Sequence, residues 1–153
     1  MTIRKTPAGT RGARTPPPAV MKVLGPVMTW VHRRSRDRFR GGDLLYLTTV
    51  GARTGQRRTH PVGRFPDGEG GWFIVASFGG AAHHPAWYHN IAAHPDQIRA
   101  EVGGRTHRVR AEQLDGSAYE QAWAQITDRS PSFLGYQDKT DRHIPVLRLT
   151  PLD

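Results

Sequence analysis

Apolar positions change rhythm twice along this chain. After the proline run at residues 16–18, Val20, Val23, Leu24, Val27, Met28 and Val31 recur at helical spacing, which predicts a short amphipathic helix kinked or broken at Gly25-Pro26. Beyond Gly41-Gly42 the segments shorten to strand length. Residues 44–49 are apolar and β-branched, 57–65 follow a Gly-bounded turn, and 72–78 follow Pro66-Asp67-Gly68; together they read as a meander. Residues 85–94 read as a helix, with Pro85 in its first turn and His94-Pro95 ending it. Residues 97–102 and 105–113 flank Gly103-Gly104, a two-residue loop that closes hairpins. Ser117 followed by Glu120 resembles a capping box, opening a helix to about residue 129 with Ala118, Ala122, Trp123 and Ile126 apolar. A loop rich in Ser, Pro and Gly leads to a last strand at residues 143–149. About six strands, mostly hairpin-connected, with an N-terminal helix and two further helices, predict a mainly β antiparallel barrel.

Charge divides the chain. Residues 1–40 hold ten Lys/Arg against the single acid Asp37, whereas residues 41–153 hold twelve of each sign. A basic arm (1–40) thus precedes a neutral body (41–153). Such an arm attracts polyanions, namely nucleic acid, an anionic membrane surface or an acidic cofactor tail; the alternative for residues 1–15 is a solvated extension. No apolar run approaches the length of a membrane span, and no secretory signal is evident, so a cytoplasmic protein is expected, with peripheral contact to the inner membrane face as a use of the arm. The absence of cysteine removes thiolate nucleophiles, disulfides and iron–sulfur clusters. Redox chemistry, if present, must come from a bound organic cofactor.

The turn at residues 51–58 carries two glycines and three arginines, which suits a cradle for phosphate or carboxylate oxygens. If residues 57–65 form a strand, Arg58, His60, Val62 and Arg64 share one face, and Arg57, Thr59 and Pro61 the other. The same composition also suits an ordinary hairpin with solvated arginines. No Walker A lysine and no Gly-x-Gly-x-x-Gly opening a helix occurs. His84, His89 and His94 are five apart, which does not put ligands on one helical face, so no metal is expected; no Gly-x-Ser-x-Gly elbow supports a hydrolase.

Three segments in order carry a family resemblance. They are residues 47–58 (Leu-Thr-Thr-Val-Gly-Ala-Arg-Thr-Gly-Gln-Arg-Arg), the stretch Pro85-Ala86-Trp87-Tyr88-His89-Asn90 running on to Pro95, and Tyr136-Gln137-Asp138-Lys139-Thr140-Asp141-Arg142-His143-Ile144-Pro145. The set, with Ile74-Val75-Ala76-Ser77 between, resembles the deazaflavin-dependent nitroreductase and quinone reductase family over residues 44–149. That resemblance implies a flavin-reductase-like split β-barrel and coenzyme F420 rather than FMN. It also implies hydride transfer to a small organic acceptor such as a quinone, activated alkene or nitroaromatic. Carried over residue by residue, Arg53, Thr54 and Arg58 would hold the coenzyme phosphate. His60, Pro61, Ala76, Ser77, Phe78, Ala86 and Trp87 would surround the ring. Phe133 and Tyr136 would face the substrate, with Tyr136 or solvent as proton donor and Ser77 beside it.

This chain departs from the family pattern at five positions: His84 stands where Asn is usual before Pro85, His60 where Asn is frequent, Phe78 where Lys occurs, and Ser130 and Phe133 where tyrosines line the substrate side. Phe133 stacks on planar molecules but donates no proton. Other readings are a non-catalytic carrier of the coenzyme, a split-barrel FMN reductase and, through the arm alone, nucleic-acid binding, for which the body lacks a fold signature. A homodimer is an assembly left open.

Overall fold

A computed structural model describes residues 3–14, 26–27, 30, 38–39 and 42–152. Its strands are β1 (Arg38–Phe39), β2 (Gly42–Val50), β3 (Arg57–Gly63), β4 (Phe65–Pro66), β5 (Trp72–Val75), β6 (Arg99–Val102), β7 (Arg105–Gln113) and β8 (Val146–Pro151). Its helices are α1 (Ala86–Ala93), α2 (Gly116–Arg129) and α3 (Ser132–Lys139), with a 3₁₀ turn at Phe78–Gly80.

Every strand pairing is antiparallel, in the order β1-β2-β6-β7-β8-β5-β4, with β3 on the other edge of β2. β2 is central: Tyr46 pairs with Pro61 of β3 and with Glu101 of β6, and residues 44–47 are buried on both faces, as their unbroken apolar run requires. Leu45, Leu47, Val62, Ala100, Val109, Leu147 and Leu149 fill the inner face with Trp87, Tyr88 and Ile91 of α1. A second cluster, including Phe73, Val75 and Val146, lies under Ala122 and Ile126 of α2. β3 approaches β5 to within 8 Å between Cα atoms, yet no ladder joins them. Pro61 removes a backbone donor from β3, which sheets tolerate at an edge. The barrel is therefore split along the β3–β5 seam, as the family resemblance implies.

Several local expectations are corrected. The first three strands are not a meander, because β5 pairs with β8 and β4 and leaves β3 unpaired on that side. The strand ending expected at residue 78 stops at Val75, where Ala76 turns its N–H to the Pro145 carbonyl. The capping box does not form: α2 opens at Gly116 with Asp115 as N-cap and no side-chain cap bond. The loop expected before the last strand holds α3, whose Phe133 and Tyr136, three apart, pack against the second cluster and override an interior glycine, Gly135. Gly103 and Gly104 are both left-handed (φ 58° and 83°), as a tight hairpin turn demands.

Of the expected N-terminal helix, Pro26, Val27 and Trp30 are helical, with Val27 and Trp30 exposed; the remainder lies outside the described residues. Residues 3–14 are not a solvated extension. Ile3 is buried in the main core, Gly9 and Ala13 donate backbone bonds to the carbonyls of Ala82 (2.8 Å) and Gly80 (2.9 Å), and Ala13 bridges Ala81 in parallel. No helix among the described residues is long and apolar enough to cross a membrane.

Candidate active site

The seam between β3 and β5 opens into a cavity of about 270 Å³. Its walls are Pro61, Val62 and Gly63 of β3, Val75 at the end of β5, Ser77, Phe78 and Gly79 after it, Pro85 and Trp87 of the α1 entry, and Phe133 of α3. Five residues expected around ring and substrate, namely Pro61, Ser77, Phe78, Trp87 and Phe133, meet here although they come from four separate elements. The slot mixes apolar and polar surface: Pro61, Val62, Val75, Trp87 and Phe133 supply apolar wall and Ser77 a hydroxyl group, a composition suited to an aromatic ring with polar substituents.

Not every expected residue lines this cavity. Ala76 is fully buried behind the wall, Ala86 is exposed at the start of α1, and Tyr136 stands behind Phe133, ring edge to face at 5.4 Å. Phe65 also meets Phe133 edge-on at 5.7 Å, so Phe133 contacts two rings. Arg53, Thr54 and Arg58 are exposed on the 51–58 turn, and His60 is half-buried between turn and slot. Arg58 pairs with Thr49 and His60 with Leu47, so both share the inward face of the sheet, as strand alternation predicts. Burial, and then the Arg58 charge, hold the His60 imidazole below its ordinary pKa. Arg57 points to the opposite face, where it lines a separate cavity of about 210 Å³ with Arg99 and Arg108.

The turn is built for its shape. The N–H of Gly51 reaches the Gln56 carbonyl (2.7 Å), that of Gly55 reaches the Gly51 carbonyl (3.0 Å), and Gly55 is left-handed at φ 69°. Arg58 Nη2 donates to Gln56 Oε1 (3.3 Å). From Arg58 to Pro61 is three residues, so a phosphate at the turn would lie roughly 10 Å along the strand from the ring slot.

Two residues with no role expected from sequence prove decisive. Buried Asn90 of α1 accepts the Ala52 N–H (3.0 Å) and donates to Thr49 Oγ1 (3.1 Å), tying the turn to the helix that carries Trp87. Arg142, about 1% exposed, donates Nε to the Ala81 carbonyl (3.0 Å), Nη1 to the Ala76 carbonyl (2.9 Å) and His84 Nδ1 (2.9 Å), and Nη2 to the Ser77 carbonyl (2.7 Å). These neutral acceptors surround its charge from within the segment that walls the slot. Phe78 in that segment is left-handed at φ 45°, which costs on the order of 1–3 kcal/mol in a residue with a side chain and persists only where neighbours impose it. Both residues belong to the segments that carried the resemblance, and only the fold reveals their partners.

A split barrel with a slot at its seam lined by Trp87 and Phe133, and an arginine-bearing turn at the far end of the same edge strand, is an architecture able to hold an aromatic cofactor with an anionic tail. The profile of the family described as F420H(2)-dependent quinone reductase matches residues 27–151. An F420H(2)-dependent quinone reductase of Mycobacterium tuberculosis is 38% identical over 109 residues, which are 69% of this chain and 72% of the relative. A solved F420-H2 dependent reductase (FDR-A) superposes with a TM-score of 0.63 at 34% identity, covering 70% of this chain and 93% of its own. A solved chain described as a domain-swapped dimer also gives 0.63, at 30% identity over 81% and 99%. The chain belongs to the F420H(2)-dependent quinone reductase family. It is an oxidoreductase whose coenzyme is F420 and whose hydride acceptor is a small quinone-type molecule.

Proposed function

We propose that the slot at the β3–β5 seam is where coenzyme ring and acceptor meet, with Pro61, Ser77, Phe78 and Trp87 around the ring and Phe133 on the acceptor side. The convergence of these residues on one cavity at the seam carries this reading. Arg53, Thr54 and Arg58 would hold the coenzyme phosphate, with His60, Ala76 and Ala86 supporting the ring from outside the cavity wall. When bound, the reduced coenzyme supplies a hydride from C5. The chain's own part is then to align a planar acceptor against Phe133, exclude water with the walls of the slot, and deliver a proton from Tyr136 or solvent, with the Ser77 hydroxyl stabilising the developing anion. Activated alkenes and nitroaromatics fit the same slot as further acceptors. The cytoplasm is the proposed site of action, and the relative described as a domain-swapped dimer supports a homodimer.

Spectral titration with F420 and FMN tests the site. Saturable F420 binding that Trp87→Ala and Arg58→Ala weaken is expected. Binding of FMN without F420, or F420 affinity untouched by both substitutions in folded protein, would reject it.

A further inference from the structure

Residues 3–14 cross the back of the segment that walls the slot, and they lie outside the residues matched by the family profile. Their contacts bind three pieces of the site at once. Gly9 and Ala13 donate to the carbonyls of Ala82 and Gly80, at the end of the strained turn. Thr10 gives its N–H to Asp141 Oδ1 (2.8 Å) and its hydroxyl to Oδ2 (2.5 Å), and Arg11 adds its own N–H to Oδ1 (3.0 Å). Arg11 Nη1 reaches the Asp138 carbonyl at the end of α3 (3.1 Å), the helix that carries Phe133 and Tyr136.

A further path runs inward. The Thr6 carbonyl accepts from His84 Nε2 (2.7 Å), and His84 Nδ1 accepts from Arg142, whose guanidinium holds the carbonyls of Ala76, Ser77 and Ala81. Donation by Arg142 fixes the tautomer, leaving the ring proton on Nε2 for Thr6. Asp141 and Arg142 are adjacent, one gripping the strap outside and the other gripping the turn inside.

The seating is close enough to be specified by glycine. A Cβ at Gly12 would lie 2.2 Å from the Ala82 nitrogen and 2.5 Å from the Ala81 carbonyl carbon; one at Gly9 would lie 2.9 Å from Arg142 Cβ and 3.0 Å from its nitrogen. The turn is itself wedged, since a Cβ at Gly80 would lie 2.6 Å from the Tyr136 carbonyl oxygen. An extension serving only solubility would need no such contact with the backbone behind Phe78.

We propose that residues 3–14 are a positioning strap, docked through Gly9, Thr10 and Gly12, that holds the 76–82 turn and the end of α3 in the geometry the slot requires, so that strap docking and coenzyme binding reinforce each other. The proposal rests on reading the slot as the coenzyme site. Coupling is reciprocal: whatever affinity the docked strap adds for coenzyme, bound coenzyme returns as strap protection.

Hydrogen exchange on the full chain, with and without F420, tests this directly. In the ligand-free protein, Gly12→Ala is expected to speed exchange at the Gly9 and Ala13 amides and also at Gly80 and Ala81, whose N–H groups bond to Ser77 and Phe78. In the wild type, saturating F420 is expected to slow exchange at Gly9 and Ala13, and the variant is expected to bind F420 about tenfold more weakly. Thr10→Val, which removes one side-chain bond and no backbone contact, gives the same pattern at smaller amplitude should Gly12→Ala not fold. Protection of the Phe78–Gly80 amides by F420 with Gly9 and Ala13 unchanged would overturn the strap's role and leave the slot standing. Protection at neither place would overturn both.

Discussion

At the scale of the residue, the site depends on backbone geometry as much as on side-chain chemistry. Gly55 is left-handed with open space around its Cβ position, so Gly55→Val is strained by conformation and not by collision. Its expected effect is weaker F420 binding in a folded protein, read by titration; normal affinity would show that the turn has only a connecting role. Arg58 is exposed, so its bond to an anion is partly screened. Arg58→Ala is expected to raise the F420 dissociation constant about fivefold to tenfold, near the value of one ordinary hydrogen bond. Strand alternation made the Arg58–His60 pairing legible in the sequence. The distance of both from the ring slot was not, because it depends on which edge of β3 stays open.

Among the elements, α3 is where sequence reading fell shortest. Its eight residues include an interior glycine, which disfavours a helix by about 1 kcal/mol relative to alanine, and packing of Phe133 and Tyr136 on the second core cluster offsets it. That packing separates the roles of the two rings. Phe133→Ala removes a cavity wall and is expected to raise KM for aromatic acceptors severalfold while F420 affinity holds. Tyr136→Phe keeps the edge-on contact with Phe133 and removes one hydroxyl group. If that hydroxyl delivers the proton, kcat falls on the order of a hundredfold; an unchanged kcat assigns the proton to solvent.

For the whole molecule, the titration of four histidines sets a pH window. Burial is the largest cause holding His60, His84, His89 and His143 below their ordinary value of 6.5, reinforced by Arg58 at His60 and by Arg142 at His84 and His143. The unfolded chain therefore takes up protons first as pH falls, so stability is full above about pH 6.5 and declines below it. Thermal unfolding is expected to give a lower Tm at pH 5.5 than at pH 7.5, and a flat profile would contradict these placements. Asp141 behaves differently. The Thr10 hydroxyl bond, above all, holds its pKa at about 2, so its grip on the strap is present above its usual 3.8 and fails only as pH falls toward 2.

What the sequence by itself determined was local and ordered: strand and helix rhythm, the glycine hairpin, the arginine turn, and the segments whose succession pointed to the family. Those features follow from side-chain periodicity and backbone permissiveness, which act over a few residues. Tertiary structure decided the rest. That β5 would pair with β8 and leave β3 open, that Arg142 would lie buried among the Ala76, Ser77 and Ala81 carbonyls, and that residues 3–14 would dock on the far side of that turn all depend on partners 61 to 131 positions away in the chain. Residues 3–14, basic and with a single large apolar side chain, carry no periodicity to announce such contacts. Their place is set by close backbone approach at Gly9 and Gly12, which exists only once the barrel they lie against has formed.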